Sequence, residues 1–252
     1  MSPMDVIKLE GISKRFGAVQ ALRDVNFSLR RGEVMAIVGD NGAGKSTLIK
    51  TIAGAQAADT GNYLFEGQKV EVRSPEAARD LGIETVYQDL ALFDSSNVAE
   101  NIFAGREIVK RILGIPFLKN SDMHAKSAEL LKSLRIHIHS TKLTVKSMSG
   151  GQRQSVAVAR AAAFGRKVVI MDEPTAALGV AEQQKVLALI ADLKTRGFSV
   201  IVISHNLGHV FQVSDRISVM RQGTCVAVRV VSETTSDDIV KLITGADQAI
   251  RQ

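Results

Sequence analysis

The residues with the clearest capacity for chemistry form a glycine-rich run that ends in a lysine and two hydroxyl side chains. The run matches the pattern G-x-x-x-x-G-K-[ST]. It consists of Gly39, Asp40, Asn41, Gly42, Ala43, Gly44, Lys45, Ser46 and Thr47. Its glycines allow backbone N–H groups to point inward as an anion nest, and a helix beginning at Lys45 adds the positive end of its dipole. We therefore expect this phosphate loop (residues 39–47) to bind a phosphate-bearing ligand.

Three side chains of the phosphate loop have expected roles in holding a nucleotide. Lys45 is placed to reach the β- and γ-phosphates, Ser46 to ligate Mg²⁺ through its hydroxyl, and Thr47 to contact the α-phosphate. A dinucleotide site is excluded because no G-x-G-x-x-G register fits these glycines. The loop alone does not separate kinases, GTPases and other ATPases.

A pair of neighbouring carboxylates follows a second apolar stretch. Asp172 and Glu173 come directly after residues 168–171, which are apolar on both faces of the expected strand. Ligands bind at the carboxyl ends of the strands in parallel sheets of this kind. We expect Asp172 to hold Mg²⁺ through water and Glu173 to polarise an attacking water as a general base.

A second pair of glycines opens an amphipathic helix near residue 150. Ser149 is the expected N-cap of this helix, and Gly150, Gly151 and Gln152 follow it. This signature segment (residues 149–152) builds a second anion-binding helix end. The phosphate loop is enough to hold one phosphate ligand, so a second anion-binding segment in the same subunit is unusual. The signature segment is therefore the most diagnostic part of the sequence.

The elements that position these residues alternate between strands and helices. Strand-like runs that are apolar on both faces lie at 34–38, 168–171 and 200–203. Such runs are typical of central strands in a parallel sheet that is covered by helices on both sides. Further strand-like runs, which indicate a sheet-based subdomain, lie at 6–9, 26–29, 62–65 and 83–87. Between about 90 and 163 the apolar spacing becomes helical, so we expect an inserted helical subdomain in an α/β fold.

Composition and charge narrow the class of protein. The chain has 252 residues, 45% of them hydrophobic and 23% charged, as in an ordinary globular protein of one large or two small domains. Its net charge of +6 suits a phosphate ligand, a nucleic acid or an anionic membrane face. The basic residues come in pairs, without the long run typical of a nucleic-acid tail. A single cysteine, Cys225, excludes an intramolecular disulfide, and no stretch is apolar enough to span a membrane, so we expect a cytoplasmic protein.

The motifs together resemble the ATP-binding-cassette ATPases, whose signature has the form Leu-Ser-Gly-Gly-Gln. The resemblance extends from about residue 6 to residue 229, and Met148 stands where leucine is usual, a change that conserves volume. It implies a P-loop NTPase fold with a RecA-like parallel sheet core, an antiparallel β subdomain and an inserted α-helical subdomain of about residues 90–163. It also implies a single ATP-binding domain over residues 1–252, with ATP and Mg²⁺ as cofactors.

The resemblance adds three residues to the expected site. Phe16 falls where the family places an aromatic ring that stacks on adenine. Gln88 matches the glutamine that senses Mg²⁺ and the attacking water and that abuts the transmembrane partner. His205 matches the switch histidine that contacts the γ-phosphate, and it is the one histidine of the five that we single out.

The resemblance also implies a second copy of the chain. In this family the signature of one subunit closes over the ATP held by the phosphate loop of the other. Since the sequence has one copy of each motif, it predicts an ATP-dependent homodimer in which Ser149, Gly150, Gly151 and Gln152 act in trans. Gly179 stands where the family usually has an aspartate that contributes to communication between subunits. We therefore expect this difference from the family to affect the coupling between subunits and not the binding of ATP.

Two stretches narrow the resemblance to the bacterial simple-sugar importers. They are residues 86–107, which include Gln88, and residues 172–180, which include the Ala-Ala-Leu-Gly ending at Gly179. The single cassette, with no room for a C-terminal regulatory domain, is similar to the fructose-type subunit. The resemblance implies separate permease subunits, a periplasmic sugar-binding protein, and a position on the cytoplasmic face of the membrane.

Two alternatives remain open on the sequence. An ATPase of an importer for another solute, such as an amino acid or a lipid, would share every catalytic residue. A non-transport ATPase of the same family acting on nucleic acid would also share them, although we expect no nucleic-acid partner. The transported molecule never touches this chain, so its sequence does not identify the sugar.

Overall fold

A computed structural model describes residues 4–113, 115–165 and 167–246 of the chain. The strands are β1 (Asp5–Phe16), β2 (Val19–Arg30), β3 (Val34–Val38), β4 (Thr60–Phe65), β5 (Gln68–Lys69), β6 (Ile83–Val86), β7 (Val109–Ile112), β8 (Ile115–Leu118), β9 (Val168–Asp172), β10 (Ser199–Ile203), β11 (Arg216–Arg221) and β12 (Thr224–Val230). The helices are α1 (Lys45–Ile52), α2 (Pro75–Asp80), α3 (Val98–Phe103), α4 (Asn120–Ser133), α5 (Gly150–Phe164), α6 (Val180–Thr195), α7 (Leu207–Val213) and α8 (Ser236–Thr244). Short 3₁₀ turns lie at Val145–Ser147 and Val231–Glu233.

The main sheet has six strands in the order β12-β11-β3-β10-β9-β6. All neighbours are parallel except the edge pair β11 and β12. Alternate residues of the central strands enter two different apolar cores: Ile170 packs with β1, β2 and α1, whereas Val169 packs with α3, α5 and α6. The prediction of central, doubly covered strands in a parallel α/β sheet is confirmed.

A second sheet is antiparallel and has the order β2-β1-β4-β5. Its strands β1 and β2 each have 12 residues, which is much longer than the apolar runs at 6–9 and 26–29. The extra length was not predicted because the pairing of β1 with β2 contains several register shifts, which interrupt the alternation of buried and exposed side chains. This sheet forms one wall of the apolar core that also holds α1.

The helical segment contains α3, α4 and α5, whose apolar faces pack together around Ile102, Leu131 and Val158. It also contains a two-stranded hairpin, β7 and β8, which the sequence did not predict. Every residue of those two strands is exposed, so no burial pattern of period two marks them. Met148, which lies just before α5, is buried as expected for a leucine substitute.

None of the described helices combines the length and the apolar character that crossing a membrane requires. The longest, α6, has 16 residues and carries Glu182, Lys185 and Asp192. Cys225 is partly buried in β12, where its Sγ lies 3.2 Å from Oγ of Ser218, and it is a free thiol.

Candidate nucleotide site

The phosphate loop joins the buried strand β3 to helix α1. Gly39, Gly42 and Gly44 have φ values of 151°, 79° and 100°, which side-chain-bearing residues rarely adopt. A Cβ atom on Gly39 would lie 2.2 Å from the carbonyl oxygen of Met220, so the backbones meet too closely for any side chain. Gly44 is the N-cap of α1 and offers no side-chain cap, which leaves the first-turn N–H groups directed at the loop. The loop therefore has the backbone geometry of an anion nest.

Lys45 crosses the phosphate loop with its charged end. Its Nζ donates to the carbonyl oxygens of Gly39, at 2.7 Å, and Asp40, at 2.9 Å. Ser46 is exposed in the first turn of α1, and Thr47 beside it is half-buried. The ammonium thus lies against the loop carbonyls, and the two hydroxyl-bearing residues follow it in the first turn of α1.

The turn between β11 and β12 supports the phosphate loop from behind. The N–H of Gly223 donates to the carbonyl oxygen of Ala43 at 3.0 Å, and the N–H of Arg23 in β2 donates to the carbonyl oxygen of Gly223 at 2.8 Å. A Cβ atom on Gly223 would lie 2.8 Å from the carbonyl oxygen of Ala21. Sequence reasoning missed this support because residues 43 and 223 are far apart in the chain.

The two carboxylates lie at the carboxyl end of the sheet. Asp172 is the last residue of β9 and is half-buried. Burial raises the pKa of Asp172 above its usual range, and the neighbouring Glu173 adds to the rise, while the positive charges of Lys45 and Lys50 oppose it. The charge of Lys45 acts on Asp172 because strands β3 and β9 flank β10 in the sheet.

Glu173 turns sharply away from the strand end. Its φ is 49°, in the left-handed region, and its N–H donates to the carbonyl oxygen of Ile203 at 3.0 Å. Oε1 of Glu173 lies 2.9 Å from Nδ1 of His205, which follows β10. The carboxylate is 15% exposed and the imidazole 76%. A sheltered carboxylate fixed by an accessible imidazole has the geometry of a base with an orienting partner.

Gln88 lies in the loop that follows β6, and its side chain is exposed. Because β6 is the parallel neighbour of β9, this loop leaves the sheet beside Asp172. The register pairs Val86 with Met171, so Tyr87 and Asp172 are the next residues along the two neighbouring strands. Burial raises the pKa of Tyr87, and the negative charges of Asp89 and Asp172 add to the rise. Gln88 therefore lies at the same edge of the sheet as the carboxylates.

Arg160 of α5 holds the loop after β6 in an unusual conformation. Leu90 and Ala91 have φ values of 59° and 45°. The guanidinium of Arg160 donates to the carbonyl oxygen of Ala91 at 2.7 Å and to that of Leu90 at 2.8 Å. Burial lowers the pKa of Arg160 from its usual value, and the carboxylate of Glu84 opposes this. The sequence did not identify Arg160, since no local pattern marks a contact across 70 residues.

The signature segment begins helix α5 as expected. Ser149 is the N-cap: its Oγ accepts a bond from the N–H of Gln152 at 3.3 Å, and its N–H donates to Oε1 of Gln152 at 3.0 Å. A Cβ atom on Gly151 would lie 2.5 Å from Cγ of Glu182 in α6. Among the described residues, no hydrogen bond or ion pair joins residues 149–152 to residues 39–47. The phosphate loop and the signature segment therefore begin two different helices, α1 and α5, without a direct polar contact between them among the described residues.

Phe16 lies at the end of β1 and is 43% exposed. Its ring is not part of the apolar core. Nζ of Lys14 lies 5.8 Å from the ring centroid and also donates to Oδ1 of Asp59 at 2.6 Å. An aromatic face is thus open to solvent and has a cation nearby.

A second histidine contact was also missed by the sequence. Nδ1 of His209, in α7, lies 3.0 Å from Oγ1 of the buried Thr175. Asn206 caps α7 by accepting a bond from the N–H of His209 at 3.2 Å. The contact between His209 and Thr175 joins the segment that follows Glu173 to the helix that follows His205.

The donor atoms near the phosphate loop suit a magnesium ion. Ser46 offers a hydroxyl and Asp172 a carboxylate, and both are the oxygen ligands that Mg²⁺ prefers. Within the described residues no cluster of three or more His, Cys, Asp or Glu side chains could hold a metal by itself. Mg²⁺ is commonly bound through one or two carboxylates together with substrate phosphates, so this sparse set fits it.

Comparison with known proteins agrees with this geometry. Residues 22–176 match the family model described as ABC transporter. The chain is 47% identical over 256 residues to the fructose import ATP-binding protein of Rhizobium meliloti, with 100% of this chain and 98% of that protein covered. It is 46% identical to the xylose/arabinose import ATP-binding protein of Sulfolobus acidocaldarius, with 96% and 94% covered.

A solved structure supports the fold. The ADP conformation of an ATP-binding cassette of an ABC transporter superposes with a TM-score of 0.80 at 27% identity, covering 96% of this chain and 99% of that one. The resemblance to the ATP-binding-cassette ATPases and the α/β P-loop fold that it implies are both confirmed. On its sequence and its fold, this chain belongs to the ABC transporter family.

Proposed function

We propose that the chain is the ATP-binding and ATP-hydrolysing subunit of an ABC importer, and that it energises the uptake of a simple sugar through separate permease subunits. The observation that carries this proposal is the meeting of the phosphate loop, Asp172, the Glu173–His205 pair and the loop of Gln88 at one edge of the parallel sheet. The names of the similar fructose and xylose/arabinose import proteins favour a sugar as the transported solute.

The phosphate loop binds the triphosphate of ATP. Its backbone N–H groups and the start of α1 supply donors, and Lys45 moves its ammonium from the loop carbonyls to the β- and γ-phosphates. Thr47 contacts the α-phosphate, and the exposed ring of Phe16 stacks on adenine. The residues of this site are Phe16, Gly39, Asp40, Asn41, Gly42, Ala43, Gly44, Lys45, Ser46 and Thr47.

Ser46, Gln88 and Asp172 would hold Mg²⁺. When bound, this ion neutralises charge on the phosphate oxygens during hydrolysis. The protein contributes oxygen donors from three separate elements, namely α1, the loop after β6 and the end of β9. The ammonium of Lys45 favours the ionised form of Asp172, since its positive charge opposes the rise in the pKa of that carboxyl group.

Glu173 acts as the general base. It removes a proton from the water that attacks the γ-phosphorus, the bond to the bridging oxygen of ADP breaks, and phosphate leaves with the water's oxygen. His205 holds Oε1 of Glu173 and contacts the γ-phosphate, and Gln88 orients the water. The turn at Glu173, with its φ of 49°, aims the carboxylate past the strand end and towards this reaction.

Two chains act together as a homodimer that ATP closes. Ser149, Gly150, Gly151 and Gln152 of one chain bind the triphosphate held by the phosphate loop of the other. The two elements begin different helices, α1 and α5, and an arrangement in trans would bring one of each to every triphosphate. A triphosphate between two positive helix ends stabilises the closed pair, because anions are favourable at both.

The permease docks in a groove beside the loop of Gln88. The groove has a volume of about 400 Å³ and lies between that loop and the helical segment. Its lining includes Tyr87, Ala91, Phe93, Arg106 and Phe164, and Phe93 is 60% exposed. Because Arg160 also lines the groove while holding Leu90 and Ala91, a permease helix seated there presses on the loop that carries Gln88.

The whole chain, residues 1–252, works as one ATP-binding domain, with residues of about 90–163 as its helical subdomain. It lies on the cytoplasmic face of the membrane and is held there by the permease. A periplasmic binding protein delivers the sugar to the permease from the other side. No nucleic acid takes part.

The test is transport by the reconstituted complex. The chain and its permease are placed in liposomes with ATP inside, and uptake of labelled fructose, xylose and an amino acid is compared in the presence of the binding protein. We expect ATP-dependent uptake of a sugar, and none when the chain carries Lys45→Ala. Uptake of the amino acid alone would overturn the sugar assignment but not the ATPase assignment.

A further inference from the structure

The hairpin of β7 and β8 presents apolar side chains on both of its faces. Residues paired across the two strands share a face. One face carries Val109, Arg111, Pro116 and Leu118. The other face carries Lys110, Ile112, Ile115 and Phe117. All eight residues are exposed, so neither face is buried against the rest of the described structure.

The base of the hairpin is anchored, whereas Leu113, which follows β7, is open to solvent. Ile108 packs against the apolar core of the helical segment, and the N–H of Lys119 donates to its carbonyl oxygen at 2.7 Å. At the turn, Leu113 is 98% exposed. Four residues of strand span about 13 Å, so the hairpin projects from the surface as a short ribbon.

The charges of the hairpin have one sign. From Ile108 to Lys119 the sequence contains no acidic residue. Lys110 and Arg111 form no ion pair with any other described residue. The ribbon therefore combines six exposed apolar side chains, Val109, Ile112, Leu113, Ile115, Phe117 and Leu118, with two uncompensated cations. A cluster of this kind marks an interaction site on a protein surface.

We propose that this hairpin inserts into the headgroup region of an anionic lipid bilayer. A protein partner with a flat surface would cover one face of the ribbon, whereas immersion in a lipid interface covers both. The stems of Lys110 and Arg111 lie along the apolar ribbon while their charged ends reach lipid phosphates. The unpaired backbone groups along both strand edges keep the hairpin out of the hydrocarbon core, which fits shallow insertion.

This contact would give the chain its own attachment to the membrane, and it goes beyond the proposed role in sugar import. It requires neither ATP nor a permease. The charge of the hairpin and its apolar side chains act together, since basic residues bring it to the anionic surface and apolar residues hold it there. Each contribution can be removed separately.

The experiment measures co-sedimentation of the purified full-length chain with vesicles of phosphatidylcholine, with or without phosphatidylglycerol. We expect binding to the anionic vesicles that falls as salt rises. The double variant Lys110→Glu, Arg111→Glu should lower the partition coefficient at least about tenfold. Its control, Lys69→Glu with Lys241→Glu, changes the net charge equally on two other elements and should bind like the unaltered chain.

A second variant, Ile112→Ser with Phe117→Ser, keeps both cations and should also lose vesicle binding. ATPase activity without vesicles should be unchanged in both hairpin variants, which shows that they are folded. The proposal is overturned if the unaltered chain ignores anionic vesicles or if the hairpin variants bind them as well as it does. It is also overturned if light scattering shows that the hairpin joins two chains and no vesicle binding occurs.

Discussion

Nδ1 of His205 lies 2.9 Å from Oε1 of Glu173, across the ends of two neighbouring parallel strands. The register of β9 and β10 produces this contact, because Asp172 pairs with Ile203 and the chain then turns at Glu173 and His205. The N–H of Glu173 also bonds the carbonyl oxygen of Ile203 at 3.0 Å. The position of the carboxylate is therefore fixed both through its own backbone and through the side chain of His205, which follows β10.

Glu173→Gln tests the general base. Glutamine keeps the shape and can still bond His205, but it does not accept a proton from water. We expect ATP hydrolysis to fall by about 10²–10⁴-fold while ATP binding is retained. Phosphate release and an ATP titration measure the two quantities. Hydrolysis at the rate of the unaltered chain would show that Glu173 is not the base.

Arg160→Met tests whether Arg160 positions the loop of Gln88. Loss of the two hydrogen bonds from the charged guanidinium lowers the free energy of unfolding by about 2 kcal/mol. It also frees Leu90 and Ala91 from their left-handed conformation. We expect a fall in the ATPase rate of about tenfold and a higher Mg²⁺ concentration for half-maximal activity, with ATP affinity kept. The Mg²⁺ requirement is the decisive readout, because a general loss of stability would leave it unchanged.

The matched control for this variant is Arg196→Met. Arg196 also donates to a backbone carbonyl, that of Ser133, but it lies away from the loop of Gln88. This variant should keep the Mg²⁺ requirement of the unaltered chain. Arg160→Lys should behave like Arg160→Met, since an ammonium lacks the planar fork that spans two carbonyls. Equal Mg²⁺ requirements in all four proteins would contradict the positioning role.

Gly223→Ala tests the support behind the phosphate loop. Gly223 has a φ of 79°, and an added Cβ would lie 2.8 Å from the carbonyl oxygen of Ala21. Gly67 has a φ of 82° but open space around it, so Gly67→Ala controls for backbone strain alone. In urea unfolding, we expect the free energy of unfolding to fall by about 1 kcal/mol for Gly67→Ala and by about 2–3 kcal/mol for Gly223→Ala. Only Gly223→Ala should weaken ATP binding. Equal effects of the two variants on stability and on ATP binding would show that Gly223 does not support the phosphate loop.

Asp172→Asn should make the nucleotide-free protein more stable at neutral pH. The pKa of Asp172 is raised in the folded state, so its ionisation there costs more than in the unfolded chain. This penalty is absent below the unfolded pKa of about 3.9 and grows as the pH rises through the folded value. The gain in Tm of the variant should therefore increase from about pH 4 upward and then level off, while Mg-ATP binding weakens. A gain that shrinks as pH rises would contradict this sign.

The placement of the candidate site residues was predictable from the sequence where it depends on local structure. The glycines of the phosphate loop, the pair Asp172 and Glu173, and the cap at Ser149 each lie within a few residues of the strand or helix that positions them. The central strands β3 and β10 were predictable because both of their faces are buried and all of their residues except Ser199 are apolar. Short-range pattern and local structure coincide in these segments.

The remaining features depend on contacts between distant residues. Arg160 meets Leu90, Gly223 meets Ala43, and His209 meets Thr175, and none of these pairs has a sequence spacing that predicts it. The hairpin of β7 and β8 was missed for another reason. Its side chains are exposed on both faces, so the alternation that reveals a half-buried strand does not arise.

In the proposed dimer, ATP joins two chains through the phosphate loop of one and the signature segment of the other. This arrangement is tested by light scattering during size-exclusion chromatography of Glu173→Gln, with and without Mg-ATP. We predict a monomer that becomes a dimer only with Mg-ATP, and a monomer throughout when Lys45→Ala is added. A Glu173→Gln chain that binds ATP fully yet stays monomeric at every protein concentration would contradict the claim.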